Sequence, residues 1–170
     1  MVIGIYLQGG NNSIIMNYKI FKLRKYDYKK ILKCLGNGFS KNVSLKDKKF
    51  IKKIFNEKWI GYGAFIENLE ASGLNDDFVL DLIGYCFIKY PQKRPETMTV
   101  VRKDFRDKGI ATDLRNYALK QREFIGHIIY SSVKLDNPAS FKSIIKSGFN
   151  VFDVTKDGYI QLIKILKYEN

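Results

Sequence analysis

The run "TMTVVRKDFRDKGIATDLRNYAL", residues 97–119, constrains the fold more tightly than any other part of the chain. Thr97–Val101 is apolar or β-branched throughout, as a strand buried on both faces should be. Ile110, Leu114, Tyr117 and Ala118 then recur at helical spacing. Between the two, Arg106, Asp107 and Lys108 crowd against a single glycine, Gly109. A strand that turns directly into a helix leaves backbone N–H groups without intrahelical partners. Those donors, with the positive end of the helix dipole, suit phosphate oxygens. A glycine in the turn lets the backbone approach a bulky diphosphate, and Arg106 and Lys108 add favourable charge. The alternative is an ordinary solvated turn, and the rest of the sequence has to separate the two.

The remaining elements follow from periodicity. Residues 18–25 read as a strand. Asp27 stands as a cap for a helix carrying Tyr28, Ile31, Leu32 and Leu35. Ser44 and Asp47 have capping-box spacing before a helix that buries Leu45, Phe50, Ile51, Ile54 and Phe55. Strands are expected at 59–66, 78–90, 97–101 and 127–135. Asn137-Pro138 opens a further helix with Asn as N-cap, and Gly148 closes it. Residues 149–155 and 159–166 flank "KDGY", a hairpin signal. The order β-α-α-β-β-β-α-β-α-β-β implies an α+β fold whose mixed, largely antiparallel sheet carries helices on its faces.

At 170 residues the chain suits one domain with a sizeable core. Met16 precedes the first periodic segment, so residues 1–15 read as an N-terminal extension, disordered or an edge segment, and 16–170 as the domain. No apolar run approaches the roughly 20 residues of a membrane span. The N-terminus lacks a basic leader region, so a cytoplasmic protein is expected. Cys34 and Cys86 form no CxxC, and His127 is the only histidine, so neither a disulfide framework nor a metal site is expected. The net charge of +13 raises nucleic acid or an anionic ligand as partner. The lysines are spread over the polar faces of amphipathic helices, however, which favours a solvated surface and leaves a nucleic-acid-binding module as the weaker alternative.

"RDKGIA" at 106–111 fits the pattern [QR]-x-x-G-x-[GA], and "DNPASFKSIIKSGF" supplies Asn137 and Ser140, with Gly148 and Phe149 eight and nine residues beyond Ser140. Together these two blocks resemble the GNAT N-acetyltransferase superfamily, over residues 18–166 and most strongly over 97–149. The resemblance implies a GNAT-like sheet with a splayed strand pair forming the cofactor cleft. It implies acetyl-CoA as co-substrate, with its diphosphate held by backbone amides from Arg106, Asp107, Lys108, Gly109, Ile110 and Ala111, with Thr112 close behind. The strand at Val100 and Val101 would pair with the pantetheine arm, and Asn137 would face it from the far wall. Asp107 stands where the family often has glycine and Lys103 where it often has proline. Ile144 takes the place of a frequent tyrosine that protonates the leaving thiolate.

The implied activity is transfer of acetyl from acetyl-CoA to a primary amine of a small molecule or protein, by direct attack in a ternary complex. Binding of acyl-CoA without turnover, as a sensor or scaffold, is the alternative. Amine attack needs a neutral amine and donors for the developing oxyanion, here backbone N–H groups near Val100. Glu96 and Tyr130 are the candidate proton-handling side chains, although Glu96 falls one residue out of phase with the family's glutamate. Glu67, Glu70, Asp76, Asp77 and Asp81 form an acidic cluster suited to attracting a cationic acceptor. Partners are then acetyl-CoA and an amine, with no membrane and with homodimer formation left open.

Overall fold

Alternating apolar strands joined in sequence order build the larger of two sheets. A computed structural model describes residues 2–6, 15–24, 27, 30–31, 59–67, 80–89 and 94–167. Within it β1 (Val2–Tyr6), β2 (Ile15–Lys22), β3 (Trp59–Glu67), β4 (Leu80–Lys89) and β5 (Thr97–Val101) lie side by side in that order. Each is antiparallel to its neighbour. Within the segment read from the sequence as an extension or edge segment, β1 pairs along β2 from Val2↔Lys19 to Tyr6↔Ile15 as an edge strand. The second sheet holds β6 (Ile128–Lys134), β7 (Asn150–Val154) and β8 (Tyr159–Ile165) in the order β6-β8-β7. Its last two strands are the hairpin that Asp157-Gly158 signals, with Gly158 at φ 81°.

Two helices complete the described fold: α1 (Ile110–Leu119) and α2 (Pro138–Lys146). The apolar stripe of α1, Ile110, Leu114 and Ala118, packs in one cluster with Tyr62, Ala64, Ile83 and Cys86 of the larger sheet. Ile144 of α2 and Ile129, Val133 and Leu162 of the smaller sheet belong to that same cluster. The core is therefore continuous beneath both sheets. Gly84 lets α1 lie close to the sheet, because a Cβ there would sit 3.0 Å from the Val100 carbonyl oxygen and 3.2 Å from Leu114 Cδ1. On the opposite face Leu23, Ile31, Phe65, Leu82, Tyr85 and Phe87 form a second cluster. The expected helices at 27–35 and 44–55 lie outside the described residues apart from isolated positions. One of these is Asp27, whose Oδ2 accepts from the Arg24 N–H at 2.8 Å.

A buried hydrogen bond fixes the first turn of α1. Tyr18 Oη donates to Asp113 Oδ2 at 2.5 Å, joining β2 to the helix. Burial and then the Asp113 carboxylate push the Tyr18 phenol well above its ordinary range, so it remains a donor at any working pH. Tyr62 does the same with Glu123 at 3.1 Å, while Lys22 approaches Glu123 at 3.2 Å. Among the described residues no helix is long and apolar enough to cross a membrane.

Leu114 is fully buried between α1 and the sheet. Leu114→Ala is expected to cost about 2–5 kcal/mol, from lost transfer energy and the cavity left behind. Equilibrium urea unfolding checks it; a cost below about 1 kcal/mol would mean that α1 is not seated as described.

Candidate active site

The two sheets barely touch. β5 and β6 are joined by one parallel bridge, Glu96↔Tyr130, and by the Tyr130 N–H donating to the Pro95 carbonyl at 2.8 Å. Beyond that point they part, and the gap opens toward the C-terminal end of β5. On its other edge β5 is paired with β4, and the register decides which backbone groups are free. The Lys89 N–H donates to Glu96 O at 2.9 Å and the Arg102 N–H to Ile83 O at 2.8 Å. In an antiparallel ladder the bonded positions alternate, so Glu96, Met98, Val100 and Arg102 turn their backbone groups toward β4. Thr97, Thr99 and Val101 turn theirs into the gap. The expectation of oxyanion donors near Val100 is thus refined: Val100 itself faces β4, and the available N–H groups belong to its neighbours.

At the open end of the gap lies a cleft of about 510 Å³ bounded by β5, the charged turn, α1 and α2. The middle of β5 is half-exposed along it, where the sequence suggests burial on both faces. Arg102–Gly109 makes a single 3₁₀ turn and then two left-handed positions, Asp107 at φ 60° and Gly109 at φ 79°. A left-handed residue explains why glycine suits position 107, and aspartate is one of the few side chains that tolerate it. Gly109 is the N-cap of α1 and has no side chain to cap with; the N–H groups of Thr112 and Asp113 return to its carbonyl at 2.9 and 3.1 Å. The N–H groups of Gly109, Ile110 and Ala111 therefore lack intrahelical acceptors and front the cleft.

The two helices that flank the cleft differ at their N-termini. α2 is capped by its own Asn137, whose Oδ1 accepts from the Ser140 N–H at 3.1 Å. α1 is open. An ordinary solvated turn gives no reason for that difference beside a concave wall, whereas an anion cradle does.

Of the residues read from the sequence as cofactor-binding, Val100, Val101, Arg106, Asp107, Gly109, Ile110, Ala111, Thr112 and Asn137 all line this one cleft. Arg106 Nε bonds back to Val101 O at 3.2 Å, tying the turn to the end of the strand. Lys108 does not line the cleft; its ammonium lies over the Phe105 ring, 5.3 Å from the centroid. Arg102 pairs with Asp104 at 2.7 Å, which holds that carboxyl below its ordinary range.

Glu96 and Tyr130, the two candidate catalytic side chains, also lie outside the cleft lining. Both sit at the closed end of the gap. Glu96 is exposed beside Arg94 at 3.8 Å. The Tyr130 ring is held between the Arg94 guanidinium, 4.5 Å from its centroid, and an edge contact with Phe152. Position along the chain accounts for the Glu96 placement, since it stands at the bridge to Tyr130, before the gap opens. Ile144 is buried in the core and contributes no proton donor. Of the acidic cluster, Glu67 pairs with Lys19 at 3.3 Å and Asp81 lies on β4, while Glu70, Asp76 and Asp77 fall outside the described residues. His127 is not among the lining residues, and Cys34 is outside the described ones.

Among the lining residues that escape the sequence reading are Thr99, Arg115 and Ser143. Arg115 Nη1 donates to Ser143 O and Oγ, both at 3.1 Å, and to Ser147 Oγ at 2.9 Å. Thr112 Oγ1 lies 3.2 Å from Ser143 Oγ. This network locks α1 to α2. Its signal was present in the sequence, because position 115 falls beside Leu114 on the buried side of the 110-114-118 stripe, where a charged residue is unexpected.

No family model and no curated protein sequence matches the chain. Solved structures do. The ribosomal-protein-S18-alanine N-acetyltransferase from Escherichia coli superposes with a TM-score of 0.66 at 14% identity, over 90% of this chain and 96% of that one. The GNAT domain of S. lividans PAT gives 0.69 at 15% identity, over 97% of both chains. The N-acetyltransferase PseH of Campylobacter jejuni, solved in complex with acetyl coenzyme A, gives 0.55 at 14% identity, over 87% and 98%. The chain has the GNAT fold.

The left-handed backbone at position 107 gives a test of the turn. Asp107→Gly is expected to leave stability unchanged or raise it by up to about 1 kcal/mol, and Asp107→Val to lower it by about 1–2 kcal/mol. Chemical denaturation of the two variants checks this; equal effects would contradict the φ described.

Proposed function

We propose that the cleft binds an acyl-coenzyme A and that the chain is an N-acyltransferase, with acetyl the smallest donor and a primary amine of a small molecule or protein as acceptor. The observation that carries this reading is the uncapped N-terminus of α1, opening on a cleft where two strands part in a GNAT fold. The donor set fits a diphosphate: the free N–H groups of Gly109, Ile110 and Ala111, the helix dipole behind them and Arg106 beside them. Asp107 is the one carboxylate among the described lining residues, and its backbone serves the turn. PseH, a structural relative, is described with acetyl coenzyme A bound, which supports the assignment.

Along β5, the N–H of Val101 is the donor for an amide of the pantetheine arm. The N–H of Thr99, deeper in the gap, is the donor for the thioester carbonyl. A bound thioester supplies an activated carbonyl. The chain's part is to hold it in line and to stabilise the oxyanion that forms under amine attack, the term that usually contributes most. Asn137 closes the far wall while capping α2. No described side chain in the cleft is a tyrosine or a glutamate, so the described lining assigns proton transfer to no such group.

Acetyl-CoA is expected to raise the melting temperature, by the equivalent of about 2.7 kcal/mol at one hundred times its Kd. Gly109→Glu, which places a carboxylate in the cradle at a left-handed position, should abolish the shift, while Asp107→Gly should retain it. No shift at millimolar acetyl-CoA would overturn the cofactor assignment. Free-thiol release across a panel of amines then distinguishes transfer from binding alone.

A further inference from the structure

Among the described residues, two buried side-chain polar atoms have no hydrogen-bond partner: Thr99 Oγ1 and Arg115 Nε. Both belong to residues that line the cleft. Arg115 is 3% exposed, and its three hydrogen bonds all go to neutral oxygens of Ser143 and Ser147. No carboxylate of the described residues pairs with it. A second cation is close by, since Lys164 Nζ donates to Ser147 O at 2.7 Å. Burial lowers the proton affinity of both groups, and the Lys164 ammonium is further disfavoured by Lys120 and Arg115. The groups that bond to this network, Thr112, Ser143, Ser147 and Lys164, supply no negative charge.

A guanidinium buried without a counter-charge is costly, and a well-packed apolar residue would be the cheaper filling. Position explains its presence. Thr99 lies two residues deeper along β5 than Val101, toward the closed end of the gap. Arg115 lies five residues along α1 from Ile110, about 7.5 Å at helical rise. Thr99 and Arg115 line the same cleft, one from β5 and one from α1. Both stand inward of the first turn of α1, whose N–H groups form the diphosphate cradle.

We infer that the inner cleft is built for an acyl group ending in a carboxylate, so that the preferred donor is the coenzyme A monothioester of a dicarboxylic acid. Thr99 Oγ1 and the Arg115 guanidinium hold the distal carboxylate. The inference rests on the acyl-CoA reading above and deepens it. In the transfer, the neutral amine nitrogen bonds to the thioester carbonyl carbon, the C–S bond breaks, and the proton lost by the nitrogen ends on the leaving sulfur, so coenzyme A departs as the thiol. An amine that arrives as ammonium first gives one proton to solvent, and the product is an amide carrying a terminal carboxylate.

The test compares binding of succinyl-CoA and butyryl-CoA, which have the same chain length and differ in the carboxylate, with acetyl-CoA as reference, by calorimetry on the full chain. The expected result is succinyl-CoA binding at least about tenfold tighter than butyryl-CoA, the ratio that one charge-assisted hydrogen bond supports. Arg115→Met should reduce that ratio to about one while leaving acetyl-CoA affinity within about threefold and stability unchanged or higher. Its folding is protected because Ser147 Oγ keeps its bond to Ser143 O and Ser143 Oγ keeps Thr112. Thr99→Val, nearly isosteric, should reduce the ratio without touching the α1–α2 network. Equal affinity for succinyl-CoA and butyryl-CoA in the unmutated protein, with acetyl-CoA still bound, would overturn the inference and spare the acyl-CoA reading. So would a ratio that survives both substitutions. Failure of all three thioesters to bind would remove both.

Discussion

The parting of β5 from β6 is the constraint on which the rest of the site depends. One bridge at Glu96 and Tyr130 joins β5 to β6, and past it the edge of β5 away from β4, where Thr99 and Val101 turn their backbone groups, has no strand opposite. Unpaired N–H and C=O groups inside a protein are costly unless something bonds to them. The fold thus creates a row of donors and acceptors suited to an extended, amide-bearing ligand. The continuous apolar cluster beneath α1, α2 and both sheets keeps the gap from closing or widening.

The open helix terminus is meaningful because of that gap. α1 enters at the point where β5 runs out, through a turn that needs left-handed backbone at Asp107 and Gly109. Tyr18, through Asp113, and Gly84, through its missing side chain, set where the first turn of α1 sits. The charges that crowd the turn contribute less than its backbone does. Arg106 ties the turn to Val101 and Arg102 is engaged with Asp104, while Lys108 covers Phe105. What remains directed at the cleft is mostly N–H.

The inner wall carries a different chemistry from the mouth. At the mouth, a helix end offers dipole and amides to a ligand that brings its own charge. Deeper in, Arg115 places a full charge where burial penalises it, held by serine oxygens of α2 rather than by an acid. A buried cation with no counter-charge among the described residues is more readily explained by a ligand group than by the needs of packing.

Much of the architecture was legible in the chain. The strand–turn–helix at 97–119, the Asn137-Pro138 helix start, the Gly148 stop and the Asp157-Gly158 hairpin are local signals, set by backbone preferences that neighbours in sequence express unaided. The open helix start at Gly109, Ile110 and Ala111 was legible for the same reason. Three things were not. Glu96 and Tyr130 looked suitable by proximity in sequence, but the bridge between the two sheets puts them at the closed end of the gap. The β5 backbone groups that face away from β4 are those of Thr99 and Val101, because pairing with β4 engages Val100, and no local pattern reveals which edge of a strand will be covered. Thr99, Arg115 and Ser143 come together from three elements far apart in the chain. The sequence by itself determined the elements and the helix mouth, since those are short-range properties; only the tertiary structure decided which backbone edge stays free and which buried charge has no counter-charge among the described residues, since both depend on what packs across from them.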